Sequence, residues 1–358
     1  MFNPKYSLTD RIVSMLMSIA ESRSVIERAH ILPASEVRLR RQALVRMTHS
    51  STEIEGNILN IQQVEALMAN KKVDAPERDI YEVENYLKAL KYIETVVADR
   101  KPVTEKVLLK VHALVTQRTL PDDRSGHYRK GPIYVVRQGF GMPQEVVYTG
   151  PSAADIPALC ADLLAWLDKS QKQDINPVLV AGILHQEIAA IHPFADGNGR
   201  TARAMATLVL YARGYDFRRL FALEDYYNRD RTSYYAAINI GANYGERRAD
   251  FTPWLEYFVR GFREEIDAVR AQIAALSVGM GGGGERIFLE KDQLLILDFV
   301  SQMGRIAVSD VIDILGCPRR TAQSKLLRLK SLGIITQTGK GPSSAYVMTP
   351  SLRADSAD

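Results

Sequence analysis

Two apolar stretches joined by nine residues constrain this chain more than any other part of it. Residues 177–191 are mostly apolar and are entered from Asn176-Pro177, as expected of a buried helix with proline in its first turn. Residues 201–213 again read as an apolar helix, stopped by Gly214. The segment between them is His192-Pro193-Phe194-Ala195-Asp196-Gly197-Asn198-Gly199-Arg200, followed by Thr201-Ala202-Arg203. It puts a base, a carboxylate, a glycine-rich turn and two guanidiniums at one corner of the chain.

That corner suits phosphates. Gly197 and Gly199 remove side chains where a turn can aim successive backbone N–H groups at one point, an anion nest at a helix N-terminus. Arg200 and Arg203, three residues apart in the first turn of the second helix, can face the same anion. Asp196 is a hard oxygen ligand for the octahedral Mg²⁺ that accompanies nucleotide phosphates. His192, as a neutral imidazole, can take a proton from an attacking hydroxyl. A plainer reading keeps the segment as a polar turn between two core helices, with His192 merely hydrogen-bonded. A calcium loop starting at Asp196 fits poorly, because an EF-hand needs an acid or amide where Arg200 stands, glycine at Thr201 and glutamate at Thr207.

The same residues resemble the Fic family. Its signature, H-x-F-x-[D/E]-G-N-G-R-x-x-R, is matched at every fixed position from His192 to Arg203. The resemblance implies transfer of a nucleotide monophosphate, most often AMP from ATP, onto a protein hydroxyl. His192 would then be the general base, and Asp196 would hold Mg²⁺ against the α- and β-phosphates. Gly197, Asn198, Gly199 and Arg200 would cradle the phosphates with Thr201 in the same set, Arg203 would reach the γ-phosphate, and Phe194 would anchor the segment in the core. Phosphoryl chemistry needs mainly positioning and charge stabilisation, which such a set supplies.

A second motif lies upstream. Ser51-Thr52-Glu53-Ile54-Glu55-Gly56 resembles the family's inhibitory helix, [S/T]-x-x-x-E-[G/N]. Taken alone the pattern is common and reads as a solvated helix face or a cap. Beside a complete signature it implies that Glu55 pairs with Arg203, occupying the guanidinium that the γ-phosphate needs, with Ser51 and Gly56 as the other marked positions.

Between the motifs, residues 128–137 and 144–149 are β-prone runs separated by Gly139-Phe140-Gly141-Met142-Pro143, which reads as a hairpin. In the family a hairpin at this place covers the nucleotide and lines up the target as an added strand, and Val147, Tyr148 and Thr149 would line the nucleotide. An ordinary hairpin closing the core is the alternative. Past the signature, Tyr234, Tyr235 and Asn243 occupy the stretch where relatives contact the nucleoside.

With 358 residues and 46% hydrophobic content the chain has room for two or three domains. A net charge of +4 is ordinary and does not by itself argue for nucleic acid. Cys160 and Cys317 are too few and too far apart for a zinc site or a disulfide framework. No signal-like segment and no apolar run of membrane-spanning length appears, so a soluble cytoplasmic protein with no membrane partner is expected. The expected architecture is mainly α: a helical N-terminal region over 1–100 carrying the inhibitory motif, a helical-bundle catalytic core with a β-hairpin flap over 101–267, a helix end and glycine-rich linker over 268–284, and a last domain over 285–351. The run Gly279-Met280-Gly281-Gly282-Gly283-Gly284 satisfies G-x-G-x-x-G, but no strand enters it and Glu285-Arg286 follows, so it reads as linker. No Walker A sequence and no internal repeat of useful period is present.

The last region suggests helices over 291–303, 308–315 and 319–332, then β runs over 334–338 and 345–348 joined by Gly339-Lys340-Gly341-Pro342. Three helices and a two-stranded wing resemble a winged helix-turn-helix, an α+β module. Arg319, Arg320, Lys325, Arg328 and Lys330 crowd its third helix with no acid among them, which suits phosphate contacts. A dimerisation or target-docking module is the competing reading. Two functions of different class follow. One is an autoinhibited adenylyltransferase that uses ATP and Mg²⁺, modifies a target or itself, and docks or forms a homodimer through its last domain. The other is a DNA-binding regulator whose core senses nucleotide. The intact His192 favours the enzyme, since a sensor needs phosphate ligands but no base. Removal of AMP from a modified protein is a further possibility, because Glu55 could position a water.

Overall fold

A computed structural model describes residues 2–29, 31, 33–137, 145–247, 250–278, 291–303, 305–339 and 344–349. Three features read from the sequence lie outside those residues: the hairpin turn over 138–144, the glycine run over 279–284, and the centre of the second turn over 340–343.

The chain is mostly helical. Helices α1 (Asp10–Arg28), α2 (Pro33–Ile54), α3 (Ile61–Met68), α4 (Glu77–Ala98) and α5 (Glu105–Val115) lead into strands β1 (Tyr134–Arg137) and β2 (Glu145–Thr149). Then come α6 (Ile156–Lys172), α7 (Pro177–Ile191), α8 (Asn198–Ala212), α9 (Leu223–Arg229), α10 (Arg231–Ile238) and α11 (Thr252–Val278). The series ends with α12 (Lys291–Met303), α13 (Val308–Leu315), α14 (Arg319–Ser331), β3 (Ile335–Thr338) and β4 (Ala345–Met348). The two strand pairs are antiparallel. No helix among the described residues is long and apolar enough to cross a membrane.

The chain divides into two compact units, residues 1–24 with 42–267, and residues 25–41 with 268–358. In the first, α7 and α8 pack on each other at the centre, with α4 and α5 against α8 and α6 against α7. The reason is composition: Val178, Ile183, Leu184, Ile188, Met205, Leu208 and Val209 are all buried, so neither central helix has a face it could leave in water. Gly182 lets α11 approach closely, since a Cβ there would meet the Leu255 side chain at 2.9 Å, and Trp254 Nε1 donates to the Gly182 carbonyl at 2.7 Å. In the second unit, Ile296, Leu297, Val300, Val311, Leu326, Leu329, Ile335 and Tyr346 form a core under three helices and one antiparallel pair.

Two helix bounds differ from the sequence expectation. Helix α8 begins at Asn198, not Thr201, because Gly197 takes the left-handed turn at φ 75° and the chain is helical from the next residue. Helix α11 runs from Thr252 to Val278, through most of the stretch before the glycine run that was expected to hold only a helix end.

Candidate functional site

The signature segment is shaped by a left-handed turn at its first residue and by one side chain inside it. Helix α7 ends on His192 in the left-handed conformation (φ 49°, ψ 57°), so the chain turns out of the core at that residue. Asn198 closes the loop in both directions: its Oδ1 accepts the Phe194 N–H at 2.9 Å and its Nδ2 donates to the Phe194 carbonyl at 2.9 Å. The Asn198 side chain is therefore committed to the loop. What the segment presents outward is backbone: the N–H groups of Asn198, Gly199 and Arg200 open α8 and have no intrahelical carbonyl to bond. These donors and the positive end of the helix are an arrangement able to receive an anion.

Beneath the loop, α5 supplies a platform that the sequence reading missed. His112 stacks on Phe194 with ring centroids 3.7 Å apart. Gly126 N–H donates to its Nδ1 at 2.9 Å, which leaves Nε2 to donate to the Asp196 carbonyl at 3.0 Å. Burial lowers its pKa to about 4, so the ring stays neutral and keeps that tautomer. The His112 to Phe194 distance in sequence gives no local signal for this pair.

His192 is half-buried and its Nδ1 lies 3.0 Å from the Ala189 carbonyl, an oxygen that can only accept. The proton therefore sits on Nδ1 and the Nε2 lone pair is available. Burial lowers the imidazole pKa from 6.5, against the pull of the Ala189 carbonyl and of the Glu55 carboxylate, so neutral imidazole is the resting form at pH 7. Arg129 fixes the position of this turn: Nε donates to the His192 carbonyl at 2.8 Å, Nη1 to Gly131 at 2.6 Å and Nη2 to Pro151 at 2.7 Å. One buried guanidinium thus ties the base of the hairpin to the turn that carries His192.

The hairpin is anchored on the opposite side as well. The Tyr148 hydroxyl donates to the Ala190 carbonyl at 2.6 Å, the Thr149 N–H to Ala242 at 2.9 Å, and the Tyr244 N–H to Thr149 at 3.1 Å. Tyr148 is buried against α7, so by strand alternation Thr149 belongs to the other face, while Val147 is the extra residue of a bulge, since Val135 pairs with Tyr148 and Val136 with Val146. Thr149 and Asn243 form a parallel bridge, which brings the flap and the stretch after α10 together. Glu187, buried on α7, holds that stretch through Tyr244 Oη at 2.7 Å and through Arg247.

The upstream motif meets the signature. Glu55 Oε1 accepts from Arg203 Nη2 at 2.8 Å, and the same guanidinium donates to Ser51 Oγ (2.9 Å) and to the Ser51 carbonyl (2.8 Å). Glu55 also lies over the start of α8, where a Cβ on Gly199 would stand 2.3 Å from Oε1. Gly56, at φ 96°, ends the segment in a backbone region that favours glycine. Tyr234, 2% exposed, stands behind Arg203 with its hydroxyl 3.5 Å from Nη1 and 3.0 Å from His185 Nε2, so it backs the guanidinium from the core. Tyr235 is 49% exposed and donates to the Ile54 carbonyl at 3.1 Å, which leaves its ring open to solvent. Asn243 Oδ1 and Nδ2 are engaged by Glu246.

Arg200 and Arg203 pair with different carboxylates, Glu82 and Asp196 for the first and Glu55 for the second. Arg200 Nη1 lies 3.3 Å from Glu82 Oε1 and Nη2 3.8 Å from Asp196 Oδ1, while its buried Nε makes no hydrogen bond among the described residues. Thr201 is fully buried and its Oγ1 is likewise without a partner. Asp196 is the one carboxylate of the signature, with 39% of its side chain exposed, and no group of three metal-ligating side chains occurs among the described residues. A single partly exposed carboxylate beside unpaired N–H donors fits a Mg²⁺ held mainly by phosphate oxygens, and does not fit an all-protein cation cage.

Residues 102–210 match the family model described as Fic/DOC family. A curated relative, Protein adenylyltransferase Fic of Drosophila grimshawi, is 29% identical over 202 residues, which cover 56% of this chain and 40% of that protein. The chain thus spans well under half the length of the curated relatives it matches. Among solved structures, a Fic family protein from Desulfovibrio desulfuricans G20 is 25% identical with a TM-score of 0.66, covering 98% of this chain and 99% of that one. Fic-1 from C. elegans shares the fold at 22% identity and a TM-score of 0.58, over 74% of this chain and 72% of its own.

Proposed function

The chain carries a Fic/DOC family domain, and from that premise we propose that it is an autoinhibited protein adenylyltransferase, moving AMP from ATP onto Ser, Thr or Tyr hydroxyls of a target protein and of itself. The observation that carries this reading is the closure of Glu55 over the α8 N-terminus, a carboxylate seated on Arg203 and Gly199 where the donors await an anion. A side-chain carboxylate in an anion site is a competitor for phosphate, which accounts for both the site and its restraint.

In the reaction, the target hydroxyl oxygen attacks the α-phosphorus while the bond to the α,β-bridging oxygen breaks and pyrophosphate leaves. His192 Nε2 takes the hydroxyl proton, a role supported by the Nδ1–H tautomer. The N–H groups of Asn198, Gly199 and Arg200 stabilise charge on the phosphates, and Arg203 serves the γ-phosphate once Glu55 withdraws. Asp196 would hold Mg²⁺, which neutralises charge on the polyphosphate. Thr201 supports this set from the core, Val147 and Thr149 from the flap, and Tyr235 and Asn243 from the nucleoside side. We assign residues 101–267 as the catalytic region, 1–100 as the regulatory one and 285–351 as a winged-helix module.

A second reading is favoured by one detail. Glu55 Oε2 makes no hydrogen bond among the described residues, so the carboxylate that blocks ATP could activate a water for removal of AMP. The test is incubation of wild type and Glu55→Gly with Mg²⁺ and α- or γ-labelled ATP. Covalent label from the α position alone establishes AMP transfer, and label from the γ position replaces it with phosphoryl transfer.

A further inference from the structure

Arg78 belongs to none of the motifs, yet it reaches the signature. It lies in the first turn of α4, with Nη2 3.3 Å from Asp196 Oδ2 and Nε 3.3 Å from Glu82 Oε1. Glu82 is buried and is also held by Arg200 Nη1 at 3.3 Å and by Asn57 Nδ2 at 3.1 Å, so Arg78 is mounted on a fixed acid. A cation in the first turn opposes the helix macrodipole, so Arg78 does not serve α4 itself. The two oxygens of Asp196 are not equivalent. Oδ1 accepts the Gly197 N–H at 2.6 Å and faces Arg200, whereas Oδ2 has Arg78 as its one hydrogen-bond donor among the described residues.

A divalent cation arriving at Asp196 would take Oδ2, since Oδ1 is engaged by the loop. A guanidinium and a metal ion cannot both sit on one carboxylate oxygen without strong like-charge repulsion. We propose that Arg78 is a displaceable cation that occupies Asp196 Oδ2 until a divalent metal ion arrives with a nucleotide polyphosphate, and so sets the metal requirement of the site. The proposal rests on the reading of Asp196 as the metal ligand. Arg78 is a positioning residue with its side chain 65% exposed, and an exposed pair of this kind is weak enough to yield to a metal.

The test uses the full-length chain with Glu55→Gly, so that the phosphate site is open, and a fluorescent non-hydrolysable ATP analogue. The readout is the free Mn²⁺ concentration that gives half-maximal tightening of analogue binding. Arg78→Ala is expected to lower that concentration by about 2- to 5-fold, the equivalent of an exposed ion pair, with Arg78→Lys between the two. Asp196→Asn is expected to raise it and to erase the effect of Arg78→Ala. A purely structural role for Arg78 would move the melting temperature and leave the Mn²⁺ midpoint in place, which overturns the proposal while Asp196→Asn still upholds the metal ligand. A weaker analogue or a higher midpoint in Arg78→Ala also overturns it and makes Arg78 a phosphate ligand. If Asp196→Asn leaves the midpoint unchanged, the metal does not use Asp196, and the underlying reading fails with the proposal.

Discussion

In the proposed reaction His192 can serve as the base because of what its other nitrogen does. With Nδ1–H given to the Ala189 carbonyl, Nε2 keeps its lone pair, and burial keeps the ring neutral. Replacing His192 by alanine should cut AMP transfer by roughly 10²- to 10⁴-fold, the usual cost of a lost general base, with little change in ATP affinity. Equal loss of affinity and rate would make it a binding residue. Since its pKa is lowered from 6.5, protonation removes the base only at more acid pH, and the acid limb of kcat in Glu55→Gly should lie below pH 6.5. Asn198 works through the loop instead. Asn198→Ala strands the N–H and C=O of Phe194 in the interior, at about 1–3 kcal/mol for each buried unpaired group, so a urea titration should show a loss of roughly 2–6 kcal/mol. A variant of unchanged stability would mean that the loop does not depend on this side chain.

At the scale of elements, the end of α2 meets the start of α8, and the pairing of Glu55 with Arg203 joins them. Removing Glu55 leaves Arg203 with Ser51 Oγ and the Ser51 carbonyl, so the guanidinium is not orphaned and the fold should survive. Glu55→Gly should therefore raise self-modification, and the gain should require Arg203. Robust activity in the chain with both Glu55→Gly and Arg203→Ala would sink the proposed switch. The contact between these helices was expected only from the resemblance of Ser51–Gly56 to an inhibitory motif, because serine and glutamate four apart share a helix face and that spacing names no partner. The tie of the flap through Arg129 was not expected, because three carbonyls converging on one guanidinium leave no pattern in the chain.

At the scale of the whole molecule, the last unit raises the question of a partner. Helix α14 exposes Arg319, Arg320, Arg328 and Lys330, while Lys325 lies 3.0 Å from Asp292 and is held within the unit. Four, not five, cations are therefore open to phosphates. If this face binds duplex DNA, the full chain should bind with a slope of log K against log salt of roughly −3 to −4, at −0.9 per phosphate, and Arg319→Ala with Arg320→Ala should flatten it by about 2. A chain that binds no duplex at low salt would assign the module to protein docking or dimerisation.

The two central helices, the glycine-rich turn between them and the order of elements in the last unit could be read along the chain. Each of these rests on local information: apolar content that leaves no face for water, glycines at a helix start, and periodicity within one element. Which groups answer those residues depends on packing. Asp196 meets Arg78, Arg200 meets Glu82, Phe194 meets His112, and Tyr234 turns out to stand behind Arg203. Charge and burial select partners by distance in space, and each of these partners comes from a helix remote in the chain, so no spacing along the sequence could announce them.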